Sequence, residues 1–193
     1  MSETQPAECM DENRILADTQ HWIDVVVIGL ELCPFAQRSI DSGRLRIQIS
    51  AAAEPAELLD LLVTELGILK SSGSTESGPD TLDSSLLVLP NALRDFLDFN
   101  DFLEAANATL VGESLEGEIQ IATFHPDYRF EATEPNAIGN YTNRSPYPML
   151  HLIREEAVSR AIAVHPDPEG IPARNIARLE SLGEDALRKL LAR

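Results

Sequence analysis

The 193-residue sequence predicts an α/β fold: a small, mainly parallel sheet of about three strands with helical crossovers and extra N- and C-terminal helices. Three observations carry this expectation. Two short segments, 44–50 and 117–124, alternate apolar and polar residues with the period of two expected of a half-covered strand. A third, SSLLVLP at 84–90, is an unbroken apolar run of the kind found in a strand covered on both faces. Between them lie stretches with apolar residues at helical spacing, and strands joined through such helices run parallel.

The elements follow in chain order. Residues 1–10 read as a flexible tail and 11–193 as a single α/β domain, a length that suits one buried core. From 11 to 30, Ile15, Trp22, Val25 and Val26 fit one helical face, although the β-branched run IDVVVIGL makes a strand the rival reading. DSGR at 41–44 is a turn before the strand RLRIQIS. Residues 54–69 read as a helix with Leu58, Leu61, Leu62 and Leu66 inward. The polar connector 70–81, rich in serine and glycine, separates this helix from the apolar central strand.

A second amphipathic helix is expected at 91–110, with Leu93, Phe96, Leu97, Leu103 and Leu110 inward. The strand at 117–124 leads into His125-Pro126-Asp127 and a loop of about twenty residues, a length usually tied to function or disorder. The C-terminal portion reads as helices at 148–164, 172–182 and 184–192. The apolar strand belongs in the middle of the sheet and the two alternating strands at its edges. Ligands in open parallel sheets bind beyond the carboxyl ends of the strands, here Ser50, Pro90-Asn91 and His125 to Asp127.

Charge narrows the function classes. The net charge is −17, with 7 basic against 25 acidic residues in 1–143 and 8 against 7 in the remainder. Such a chain repels phosphate backbones and anionic membranes, so neither nucleic acid nor membrane is an expected partner. The start MSETQPAECMDENR lacks the pattern of a signal peptide, and the longest apolar run is too short to span a bilayer. Two cysteines, Cys9 and Cys33, make no disulfide framework. A cytoplasmic location follows as the expectation.

Three clusters carry candidate chemistry. In LCPFAQ at 32–37, Cys33 precedes a proline suited to a first helical position, where unpaired N–H groups stabilise a thiolate. This run resembles the Cys-Pro-Phe-Ala turn of omega-class glutathione transferases, and a thioredoxin-like fold is the alternative it raises. A buried, inert cysteine is the competing reading. In FHPDY at 124–128, His125 and Asp127 have the spacing of two ligands in a His/carboxylate site, with His151 as a third, which would suit zinc or iron. A simple turn is the competing reading there.

The third cluster is NYTNRSPYPMLHLIRE at 140–155. On a helix, His151, Arg154 and Glu155 share a face beside the core stripe Leu150, Ile153, Ala157 and Ala161. Arg144 and Arg154 offer holders for a carboxylate or phosphate, with Asn91, Tyr128, Asn140 and Asn143 to orient it. A polar network fixing the loop is the competing reading. The leading expectation is an enzyme acting on a small anionic substrate, with Cys33 as nucleophile and His125 and His151 as acid/base groups. A non-catalytic module binding a protein or small effector, and a thiol-redox protein, are the alternatives.

Taken together, VVIGLELCPFA, LLVLPNALRDFLDFNDFL, IQIATFHPDYRFEAT, NYTNRSPYPMLHLIRE and IPARNIARLESLG resemble an uncharacterised bacterial family known as domain-of-unknown-function family 1415, over about residues 21–183. The resemblance implies a single-domain bacterial cytosolic protein and brings no reaction or cofactor.

Overall fold

The computed structural model describes residues 11–72 and 81–191. The expected tail at 1–10, with Cys9, and most of the expected connector lie outside the described residues. Helix α1 (Glu12–Trp22) starts where the Asp11 carboxylate accepts the Asn13 N–H, and it buries Ile15, Thr19 and Trp22 at helical spacing. The ambiguous run IDVVVIGL resolves as helix, widened into a π-helical turn over Ile23–Ile28. That turn ends at Gly29, where a Cβ would collide with the Val25 carbonyl oxygen. Helix α2 (Ala36–Asp41) is only six residues long, too short for the helix of about three turns expected of a thioredoxin-like active site.

Strand β1 (Leu45–Ile49) crosses through α3 (Pro55–Ser71) to β2 (Ser84–Val88), and the two strands pair in parallel. Helix α4 (Phe96–Gly112) begins later than the spacing predicts, because Asp95 caps it by accepting the N–H groups of Leu97 and Asp98. Its buried face is Phe99, Phe102, Ala106 and Leu110; of the residues expected inward, Leu110 is buried and Leu93, Phe96 and Leu103 pack against the core, while Leu97 is 62% exposed. Strand β3 (Ile119–Phe124) follows.

The main correction lies at 148–164. Residues Met149–Arg154 form a fourth strand, β4, and only Glu155–Val164 is helix (α5), followed by α6 (Ile171–Leu182) and α7 (Glu184–Leu191). The sheet order is β1-β2-β4-β3, with β4 antiparallel to both neighbours. The sheet therefore has four strands and is mostly antiparallel, rather than three and mainly parallel. The physical reason is pairing. Without β4, the inner edge of β2 and an edge of β3 would leave their peptide groups without ladder partners inside the protein. As expected, β2 is interior and fully buried, and β1 and β3 are the edges.

Both faces of the sheet are covered. Leu87, Leu150, Leu152 and Ile119 meet Leu58, Leu62, Leu66, Phe99 and Ala106 of α3 and α4. On the other face, Leu86, Val88, Met149 and the β1 residues Ile47 and Ile49 meet Trp22, Ile23, Val26 and Leu179. Alternation along a strand sends successive side chains to opposite faces. In β4 this places His151 with the second cluster and Arg154 with the first.

Candidate functional site

The polar loop is held by its own side chains. Asn140 is fully buried; its Oδ1 accepts from the Phe130 N–H (3.1 Å) and the Thr133 hydroxyl (2.9 Å), and its amide donates to the Glu134 and Pro135 carbonyls. Asn143 donates to the Thr123 carbonyl at 3.0 Å and accepts from Thr142. The Arg144 guanidinium lies over the Tyr141 ring, 4.1 Å from its centre, and donates to the Pro135 carbonyl. Asn140, Asn143 and Arg144 thus fix residues 130–144 onto the sheet, with the Arg144 Nε left without a hydrogen-bond partner.

Arg154 departs further from the sequence expectation. It lies on a strand, opposite in facing to His151, and donates to the carbonyls of Leu82 (2.9 Å) and Leu69 and to the Ser72 hydroxyl (3.2 Å). A cation there satisfies carbonyls at the C-terminal end of α3, where the helix dipole favours positive charge. Burial is the main cause pushing its pKa below the ordinary arginine value. His151 and Arg154 share no helical face, because the residues between them are extended.

His125 is fully buried at the end of β3, with Phe96 and Phe99 against its ring. Its Nε2 lies 3.1 Å from the Leu93 carbonyl oxygen, and its Nδ1 accepts the Asp127 N–H at 3.0 Å. Both ring nitrogens are thus engaged, with Nε2 carrying the proton. Burial depresses its pKa. Tyr128 stacks edge-on with Phe96 and Phe130, and Asn91 reaches the Ala51 carbonyl at 3.5 Å. His125, Asp127 and His151 do not assemble. Among the described residues, no three His, Cys, Asp or Glu side chains form a group able to hold a metal ion.

Two of the candidates do come together. Cys33 and His151 both line a cavity of about 250 Å³ that lies on the second face of the sheet, beneath α2 and α5. The site is on the sheet face rather than beyond the carboxyl ends of the strands. Trp22, Ile23 and Val27 of the first helical unit form one wall, and Leu86, Phe124 and Ile153 form the floor. Ala157, Val158 and Ala161 of α5 close the other side, their small size leaving the space open. A π-helical turn in the wall is in keeping with its frequent use at functional sites.

His151 sits in the middle of this floor, paired with Leu86 on β2 and Ala122 on β3. One edge of its ring borders the cavity, yet Nε2 has no contact with solvent and no hydrogen-bond partner. Burial pushes its pKa down to about 4. The ring is therefore neutral near pH 7 and offers an unused polar atom in apolar surroundings, an arrangement that normally costs about 1–3 kcal/mol unless something satisfies it.

Cys33 enters the cavity from the turn between the π-helical segment and α2. Asn175 of α6 fixes this turn by donating to the Leu32 carbonyl at 2.7 Å. Burial raises the thiol pKa, outweighing the opposing effect of the backbone N–H groups of Phe35 and Ala36. The sulfur is thus a protonated thiol at neutral pH rather than an activated thiolate.

One side of the lining is charged, a feature the sequence reading missed. Asp83 is approached by Arg160 (3.1 Å), Arg44 (3.8 Å) and the Ser39 hydroxyl (3.5 Å), and Arg38 adjoins them. These residues are scattered over four segments, so only the parallel pairing of β1 with β2 and the docking of α5 gather them. The apolar lining carried no signal either, because Phe124, Leu86 and Ile153 read as ordinary core.

Comparison with known proteins places the chain in a family. The family model described as Protein of unknown function (DUF1415) matches residues 14–189. No curated protein and no solved structure matches the chain.

Proposed function

We propose, for a chain that belongs to the DUF1415 family of unknown function, that the cavity over the sheet is a binding site for a small, mainly apolar molecule with one group hydrogen-bonded to His151. The observation that carries this reading is the neutral imidazole of His151 in the lining of a cavity walled by aliphatic and aromatic side chains. A pocket of that kind, apolar with a few convergent polar groups, is the common form of a small-molecule site. Its volume exceeds the roughly 150 Å³ of an apolar cavity that takes up benzene, and stops short of the roughly 300 Å³ typical of drug-sized ligands. The occupant is accordingly a single ring or a short chain.

A second reading makes the same cavity an active site with Cys33 as nucleophile, favoured by the position of its sulfur in the same lining as a neutral imidazole. The raised thiol pKa weighs against it in the empty protein, since a nucleophilic cysteine needs a stabilised thiolate. A small anionic substrate held by Arg144 and Arg154 has less support, because Arg154 is committed to the Leu69 and Leu82 carbonyls and neither arginine lines the cavity.

Titration of the ¹⁵N-labelled protein with benzyl alcohol tests the binding reading. Saturable shifts at the amides of Cys33, Phe124 and His151 are expected, and their loss in Ala161→Phe, which fills the cavity. Shifts that fail to saturate, or that persist in the filled variant, would exclude the cavity as the site.

A further inference from the structure

We infer that the molecule this cavity takes is a small apolar aldehyde, held reversibly on Cys33 as a thiohemiacetal; this rests on the binding reading above. Two side chains from distant parts of the chain carry the inference. Cys33 and His151 stand in the lining of one space of about 250 Å³, among apolar neighbours such as Val27, Leu86 and Phe124. The thiol is free and half-buried, and the Nε2 of His151 has no hydrogen-bond partner. A cysteine by itself is as readily inert core as nucleophile. Beside an imidazole over one cavity, it offers an electrophile an atom to bond and a group to hold its oxygen.

Charge decides which electrophile. Burial keeps the thiol protonated and the imidazole neutral, so the cavity favours uncharged species at both residues. Disulfide exchange needs a thiolate and expels another, an ion that apolar walls accept poorly. Addition to an aldehyde begins and ends uncharged. The sulfur bonds to the carbonyl carbon, the carbon–oxygen π bond opens, and the S–H proton passes to the oxygen. Nothing leaves, and no oxidant, reductant or further reactant is needed. The raised thiol pKa slows this step by keeping thiolate scarce, but it does not oppose a product that carries no charge.

The surroundings fit each stage. Backbone N–H groups of Phe35 and Ala36 reach the sulfur and support the negative charge that builds there as its proton departs. The hydroxyl of the adduct is the one polar group that the binding reading sets against His151, and a neutral imidazole serves it as donor or acceptor. The remaining carbon body, a ring or short chain, rests on Leu86, Phe124 and Ile153. An aldehyde thus uses both the thiol and the imidazole, whereas an alcohol of the same size engages the imidazole alone.

The experiment adds benzaldehyde labelled with ¹³C at its carbonyl carbon to the full-length protein at neutral pH, in a Cys9→Ser background where Cys33 is the one thiol. Benzaldehyde and benzyl alcohol are nearly the same size, so the cavity takes either, and only the aldehyde reacts. The labelled carbon is expected to move from the carbonyl region of the spectrum to that of a saturated carbon bearing oxygen and sulfur. Cys33→Ser should abolish this signal, weaken benzaldehyde about tenfold in calorimetric titration, and leave benzyl alcohol within about twofold. Absence of the signal while benzyl alcohol binds, a result that needs no Cys33 variant to fold, overturns the aldehyde and leaves the cavity reading intact. Its persistence in Cys33→Ser does the same. An adduct undiminished in Ala161→Phe would set the reaction outside the cavity and overturn the inference too. Silence of both probes removes both readings.

Discussion

Acidification is the perturbation that reads the state of His151 most directly. In the folded protein its pKa is pushed down to about 4 by burial, against 6.5 for a free imidazole. The unfolded chain therefore binds this proton more readily than the folded one between those values. The contribution to stability is complete above about pH 6.5 and is lost as the pH falls towards 4. The gap is 2.5 units, and at about 1.36 kcal/mol per unit the full loss is about 3 kcal/mol, most of it incurred by pH 4.5. A domain of ordinary stability, roughly 5–15 kcal/mol, would feel this clearly.

The assay is urea unfolding between pH 7.5 and 4.5, followed by the fluorescence of Trp22, the one tryptophan, which is buried beside the cavity. Other groups contribute to the acid dependence as well, so the informative quantity is the difference between the wild type and His151→Leu. Leucine keeps the volume and removes the titrating group. The wild type should lose about 2–3 kcal/mol more than the variant across the range, and at pH 7.5 the variant should be the more stable by up to about 3 kcal/mol, having lost an unpartnered buried polar atom. Parallel pH profiles, within about 0.5 kcal/mol, would mean that the imidazole is hydrated in the folded state. The account of an unpartnered ring in an apolar cavity would then be refuted.

Three further outcomes are expected. Arg154→Leu should destabilise the fold by about 2–4 kcal/mol in urea unfolding, since the carbonyls of Leu69 and Leu82 lose a buried donor; a stable variant with altered ligand binding would restore Arg154 to the site. Asn140→Ala should cost about 2 kcal/mol and open residues 130–137 to limited proteolysis, because four hydrogen bonds close that loop. In a Cys9→Ser background, Cys33 should react with iodoacetamide at pH 7 at least about tenfold more slowly than in the urea-unfolded chain. Rapid alkylation of the folded protein would instead favour the nucleophile reading.

How much of this was legible in the sequence varies from element to element. Strands β1 and β3 were visible because apolar and polar residues alternate along each at a period of two. Strand β4 was missed for a definite reason. Its Leu150 and Ile153 stand at a helical interval that continues into Ala157 and Ala161 of α5, so a strand running straight into a helix imitates one long helix. A short apolar run does not distinguish the two states by periodicity alone. That error moved His151 and Arg154 onto one face, when the pleat of β4 sends them to opposite sides of the sheet.

The candidate site shows the same division. Cys33 and His151 were found from their chemistry alone, because few side chains offer a thiol or an imidazole. Asn140, Asn143 and Arg144 were found for the same reason but serve the loop, since a polar side chain in a sequence does not reveal whether its partner is a backbone carbonyl or a ligand. Trp22, Leu86, Phe124 and Ile153 gave no signal, because an apolar residue lining a cavity has the same composition and spacing as one filling a core.

By itself, then, the sequence determined the local quantities: three of the four strands and the helices between them, which strand is interior, the family to which the chain belongs, and the charge balance that sets its surface. Tertiary structure alone decided the insertion of β4 between β2 and β3, the separation of His151 from His125, and the gathering of Arg38, Arg44, Asp83 and Arg160 beside one cavity. The physical reason is range. Periodicity and capping act within a few residues, whereas strand pairing joins groups such as Leu86 and His151 across 65 positions of the chain.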